Sequence, residues 1–361
     1  MNSSKNIEGG RDSNFELYRI VTMLLIVAHH FVVNSGVLDK AYESPLSANS
    51  IFLFLFGAWG KTGINCFMMI TGYFMCKSNI TLKKYLKLIC EMLFYSVLIA
   101  LIFVITGYGS IKDIINAFFL VRVIDSNHFF ACFLMFYLLI PFLNILLEHV
   151  NQQQHKRLIE ILAFLYIFLS TMPEFNVVMN YVSWFSTLYF VAAYIRFYPP
   201  RKRKWGLWTV AFVGMAVLSI LAYLKLGSVH GKQEAYRFVS DSNTFLAFAI
   251  SACSFMYFKG LKIKRNRLIN AIGGSTFGVL CIHANSMTMI NWLWKDFLDV
   301  NAKYQLPLGE LVTFSIITVI GVFTVCTLID QIRVHTVEKI FLDYIENNTV
   351  YLKAKKIFEI Y

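Results

Sequence analysis

The stretch ELYRIVTMLLIVAHHFVV, Glu16 to Val33, sets an arginine and two adjacent histidines inside an otherwise apolar run. Arg19 and His30 are eleven residues apart. On an α-helix this leaves them roughly 20° apart in azimuth and about 16 Å apart along the axis. One stripe therefore carries a permanent cation at one end and an imidazole, the side chain that titrates near neutrality, at the other. His29 points about 100° away from that stripe. Glu16 precedes Arg19 by three residues and is placed to pair with it within the first turn. Each group also has a plainer use: Arg19 as an interfacial anchor, His30 as a packing hydrogen bond, His29 as a structural or headgroup-facing residue.

Other polar groups sit in comparable settings. Glu91 lies in KKYLKLICEMLFYSV at the depth expected of Arg19, and an intramembrane carboxylate normally has a partner, for which Lys87 or Arg19 would serve. His283, in GGSTFGVLCIHANSMTMINW, falls at nearly the depth of His30, so the two imidazoles either share a polar site or pack separately; Asn285 and Ser286 extend that cluster. Asn65 is the one amide deep in GINCFMMITGYFM, where Gly63 and Gly72 suit close helix approach. Arg122, Asp125, Asn127 and His128 group in VRVIDSNHFF. With Trp184 they either line a sugar-binding cleft or serve as solvated loop residues and an interfacial aromatic.

These residues must be held by membrane helices. Of 361 residues, 57% are hydrophobic and only 15% charged, with a mean hydropathy of +0.59. A soluble domain carries roughly a quarter charged residues, and apolar runs near the length of a bilayer crossing recur along the whole chain. The composition predicts an all-α polytopic membrane protein. Ten spans can be drawn, at 15–34, 50–76, 86–107, 128–148, 156–173, 180–198, 205–225, 243–259, 269–294 and 309–331. Basic loops such as RFYPPRKRK and KGLKIKRNR alternate with neutral ones, which places both termini in the cytoplasm by the positive-inside tendency. The net charge of +12 is thus topological, and no nucleic-acid partner is implied. The polar N-terminus 1–14 lacks the apolar core of a signal peptide. It is followed by a membrane domain over 15–331 and a basic cytoplasmic tail over 332–361. The seven cysteines lie singly, without CxxC or His/Cys spacing, and no metal site is expected.

FELYRIVTMLLIVAHHF resembles the first-span signature of membrane acyltransferase family 3, the integral-membrane O-acyltransferases: an acid or polar group, an arginine, an apolar stretch, then a histidine eleven residues on. Glu16 takes the place of the usual aspartate. GINCFMMITGYFM is similar to the Gly–Phe and Ser-Gly-Tyr/Phe segment with Thr71 replacing serine, FLMFYLLIPFLNILL to the middle span, and WFSTLYFVAAYIRFY to a segment that usually ends in Gly-Tyr, here Ala193-Tyr194. STFGVLCIHAN is similar to the FGIYLIH segment, which puts His283 on the family's second histidine. Where many members carry R-x-x-R-x-x-P after the second span, this chain has Lys83, Lys84 and Lys87 and no proline; lysine still neutralises phosphate, without bidentate geometry.

The resemblance implies a multi-pass cell-membrane enzyme, embedded in membrane lipids, that moves an acyl group, usually acetyl, from cytoplasmic acyl-CoA to a hydroxyl of an extracytoplasmic surface polysaccharide or its lipid-linked precursor. His30 is then the general base or a transient acyl acceptor, His283 a supporting or relay group, and Arg19 a donor-positioning or charge-stabilising group. Lys83, Lys84, Lys87 and Glu91 fall at the donor end, and Arg122, Asp125, His128 and Trp184 at the acceptor end. Acetyl-CoA, or another acyl-CoA, is a substrate, and no permanently bound cofactor is implied. No appended extracytoplasmic domain is expected. The competing class is an exporter of glycan or lipid-linked sugar, for which internal repeats and broken helices are the distinguishing features.

Overall fold

In a computed structural model the described residues are 11–118, 129–172, 175, 177, 179–200, 203–230, 234–346 and 348–358. No strand occurs among them. The helices are α1 (Ser13–Val33), α2 (Val37–Glu43), α3 (Ala48–Gly57), α4 (Gly60–Met75), α5 (Leu82–Ile105), α6 (Ile111–Phe118), α7 (Phe129–His149), α8 (Gln152–Ala163) and α9 (Leu169–Thr171). They continue as α10 (Tyr181–Phe197), α11 (Trp205–His230), α12 (Phe245–Gly260), α13 (Arg267–Gly274), α14 (Thr276–His283), α15 (Met287–Asn291), α16 (Leu308–Arg333), α17 (Lys339–Glu346) and α18 (Thr349–Phe358).

Six stretches among the described residues are long and apolar enough to cross a bilayer: Ser13–Val33, Ala48–Met75, Leu82–Ile105, Phe129–His149, Trp205–Gly227 and Leu308–Ile345. The other four drawn spans correspond to shorter or interrupted helices. Residues 156–173 fall on α8, a π-helical turn (Phe164–Phe168) and α9; residues 180–198 and 243–259 fall on α10 and α12, of 17 and 16 residues.

Two spans drawn as continuous are broken. Residues 50–76 divide into α3 and α4 at Ala58–Trp59. There Gly57 and Gly60 lie so close to α1 that a Cβ on either would meet the Val32 side chain or the His29 ring within 3 Å. Residues 269–294 divide twice, at Ser275 and at Ala284–Ser286. The second break is made by side chains rather than by glycine or proline. Asn285 Nδ2 donates to the Cys281 carbonyl at 2.9 Å, closing the end of α14, while the Ser286 hydroxyl accepts from the Met289 amide at 3.2 Å and caps α15.

The last span runs on beyond 331. α16 continues to Arg333 and passes through a π-helical turn (Val334–Glu338) into α17. Hydropathy falls where Asp330 and Arg333 begin, but those charges are paired internally, so the helix has no reason to stop there.

α1 is the organising element, packed against α3, α4, α12, α13, α14 and α16. On one side α4, α7, α10 and α12 bury a core around Met68, Phe136, Phe185 and Tyr189; on the other, α5, α14 and α16 enclose Phe31, Val279 and Trp294. α13 and α14 run alongside α1. At one end a Cβ on Gly273 would stand 2.6 Å from the Glu16 side chain, and at the other His283 reaches His30.

Candidate active site

His30 and His283 meet: His30 Nδ1 lies 2.9 Å from His283 Nε2. His283 is fully buried, and its Nδ1 stands 2.6 Å from the carbonyl oxygen of Val279, one turn earlier on α14. A carbonyl only accepts, so Nδ1 of His283 carries the proton. In the neutral ring Nε2 then holds a lone pair, which accepts from Nδ1–H of His30. That leaves the lone pair of His30 on Nε2. The chain from carbonyl to His283 to His30 thus fixes both tautomers and orients His30 as a proton acceptor, the logic by which a base is held by a second group in nucleophilic enzymes. Because α14 ends at His283 and the break follows at once, the pair sits where the helix opens.

Beside the break is a cavity of about 560 Å³ whose lining includes Ser96, Phe103, Asp113, Cys281, Asn285 and Ser286. It mixes apolar walls with hydroxyl, amide and carboxylate groups, the usual character of a small-molecule site.

His29 faces elsewhere. Its Nδ1 donates to the Gly57 carbonyl at 2.6 Å, satisfying an acceptor at the end of α3, and its ring is packed on Gly60. The neighbouring Lys61, which sequence reading did not single out, donates to the Tyr181 hydroxyl at 3.0 Å and lies 3.9 Å from Asp241.

At the opposite end of α1, Arg19 pairs with Glu16 at 3.4 Å, and Arg11 approaches the second Glu16 oxygen at 3.3 Å. Lys84 is exposed and donates to Ser78 and to the Asn79 carbonyl, at 2.8 and 2.9 Å; Lys83 is half-buried on the same turn.

Glu91 meets neither Lys87 nor Arg19. Its carboxylate is 3.0 Å from Arg333, while Lys87 pairs with Glu338 at 2.5 Å. Arg333 also holds Asp330 at 2.9 Å and Glu338 at 2.8 Å, and Asp330 accepts from the Tyr95 hydroxyl at 2.8 Å. This cluster joins α5 to the far end of α16. Its partners come from beyond the apolar run, so local spacing around Glu91 does not show them. The one signal in the sequence is an aspartate three residues before an arginine at the edge of that run.

Trp184 presents no surface. It is fully buried, with Nε1 donating to Asn65 Oδ1 at 2.8 Å; Asn65 in turn donates to the Ser242 carbonyl at 2.6 Å. The ring is a strut between α4, α10 and the loop before α12. Asn65→Ala is expected to strand the indole N–H and cost about 1–3 kcal/mol, read as earlier heat-induced loss of the monodisperse species. Arg122, Asp125, Asn127 and His128 lie outside the described residues.

The family model described as an acyltransferase domain matches residues 12–329, nearly the whole chain. The chain belongs to the acyltransferase 3 family. It is therefore an acyltransferase, and its apolar helices mark it as a membrane protein. No curated protein and no solved structure matches it. Within this family match lie Arg19, His30, His283 and the whole of the broken segment after α14, whereas Arg333 and Glu338 fall past its last residue.

Proposed function

We propose that this membrane acyltransferase carries an acyl group, most simply acetyl, from cytoplasmic acyl-CoA to a hydroxyl of an extracytoplasmic surface glycan or its lipid-linked precursor. The observation that carries the reading is the His30–His283 pair, oriented by the Val279 carbonyl so that His30 Nε2 is the accepting nitrogen. In the reaction an acceptor hydroxyl gives its proton to His30 Nε2 as its oxygen bonds to the thioester carbonyl carbon. Collapse of the tetrahedral intermediate breaks the C–S bond, and the imidazolium returns the proton to the departing CoA sulfur. His283 holds the His30 ring through both steps.

The donor enters from the end of α1 that carries Arg19. Arg19 with Lys83 and Lys84 supplies positive charge for the CoA phosphates. The axial separation from Arg19 to His30, about 16 Å along a helix, is comparable to the reach of an extended pantetheine arm. Lys87 and Glu91, tied into the Arg333 cluster, belong to the scaffold of that end rather than to its open charge. The acceptor occupies the cavity beside Asn285 and Ser286. The breaks that would suit an exporter serve here to end α14 at His283 and to bring Gly57 and Gly60 against α1.

Purified protein in proteoliposomes, given acetyl-CoA labelled in the acetyl group and a hydroxyl-bearing oligosaccharide, tests the reaction. Label should pass to the sugar as an ester labile to mild base. Lys84→Ala is expected to raise KM for the donor severalfold with kcat little changed, since it removes charge remote from the reacting atoms. Absence of label in the sugar with any acyl-CoA overturns the reading.

A further inference from the structure

The Arg333 cluster lies away from the reacting imidazoles, yet one of its members touches the helix that carries His283. Asp330 is fully buried on α16, with Oδ1 accepting from the Tyr95 hydroxyl at 2.8 Å and from Arg333 Nε at 2.9 Å. Among the described residues its second oxygen, Oδ2, is buried without a hydrogen-bond partner. The same carboxylate is pressed against Gly278 of α14. A Cβ built there would stand 2.2 Å from Oδ1 and 2.3 Å from the carboxylate carbon, so no other residue fits without a shift. Asp330 is no flexible tip that could swing aside, since Tyr95 and Arg333 pin it and Arg333 is itself held by Glu91 and Glu338. Gly278 is followed at once by Val279, whose carbonyl fixes the proton of His283.

We infer that Asp330 is a positioning residue for the acyl transfer: seated on Gly278, it sets the depth at which α14 lies against α16 and so keeps Val279 and His283 in register with His30. The residues that hold the base in place thus extend from His30 through His283 and α14 to the far end of α16. Displacing a catalytic group by about 1 Å costs on the order of 10²-fold in rate, so the contact matters although Asp330 touches no substrate.

This inference rests on the reading that His283 supports the reaction, and its test has an arm independent of turnover. Protein labelled with ¹⁵N in histidine, in nanodiscs, is examined by solid-state NMR. The ring signals of His283 are assigned by their loss in His283→Gln. Native protein should show His283 with its proton on Nδ1. Gly278→Ala and Asp330→Ala should each disturb that signature and lower kcat 10-fold or more with KM for both substrates within twofold. Asp330→Asn, which keeps the shape against Gly278, should retain the native signature and stay within threefold in kcat. In the double variant the new methyl occupies space vacated by the carboxylate, so it should be less impaired than the product of the two single effects. If Gly278→Ala does not accumulate, the contrast between Asp330→Ala and Asp330→Asn carries the test.

A native His283 signature in Gly278→Ala or Asp330→Ala, whether or not kcat falls, overturns the inference. A disturbed signature in variants of a protein that shows no acyl transfer even when native would instead place the failure in the proposed reaction, with the contact standing.

Discussion

His30→Ala is expected to lower acyl transfer by about 10²–10⁴-fold, the usual contribution of a positioned general base, while the protein reaches the membrane at its normal level. The imidazole is half-buried at the end of α1, and among the described residues its side-chain hydrogen bond runs to His283. Truncation removes the proton acceptor and leaves His283 still anchored on the Val279 carbonyl, so little of the fold depends on it. His29→Ala, by contrast, strips the Gly57 carbonyl of its donor and opens space against Gly60. It should lower thermal stability more than it lowers kcat. Initial rates per folded molecule, compared between the two variants, separate the adjacent histidines: loss of turnover without loss of stability at position 30, and the reverse at position 29.

Arg333→Ala should have the largest effect on stability. Its guanidinium is the shared partner of Glu91, Asp330 and Glu338, and Lys87 also meets Glu338. Without it, buried Glu91 and Asp330 lose the cation they share, and the Tyr95 hydroxyl remains on Asp330. Breaking a buried ion pair by removing one partner costs about 3–5 kcal/mol, and here two buried carboxylates lose their counter-ion together. The expected result is a steep drop in accumulated protein and in thermal midpoint, with Arg333→Lys intermediate because one ammonium cannot span three carboxylates in the fork geometry of arginine. Fluorescence-detected size exclusion after a temperature series reads both quantities. Native-like stability of Arg333→Ala would show that the cluster contributes nothing net.

Much of the helical arrangement around His30 follows from residues visible in the chain. The equal depth of His30 and His283 anticipates an encounter, and the three-residue spacing of Glu16 and Arg19 anticipates their pairing, because both rest on helical geometry and little else. The interruption after His283 was not legible in the same way. HANSM contains neither glycine nor proline, and the break depends on Asn285 turning its side chain back onto Cys281 and on Ser286 capping the next turn. The partner of Glu91 was hidden for a different reason: Arg333 is more than two hundred residues away and past the point where the apolar run ends. Trp184 reads as an interfacial aromatic by type, and only tertiary packing against Asn65 shows that its polar edge points inward.

The most direct test of the account is proton NMR of surface glycan from three strains: cells lacking the gene, and the same cells complemented with the native chain or with His30→Ala. The account predicts equal amounts of polymer in all three, with O-acyl signals restored by the native chain and absent with His30→Ala. Acylation restored by His30→Ala, or loss of the polymer itself when the gene is removed, would contradict it.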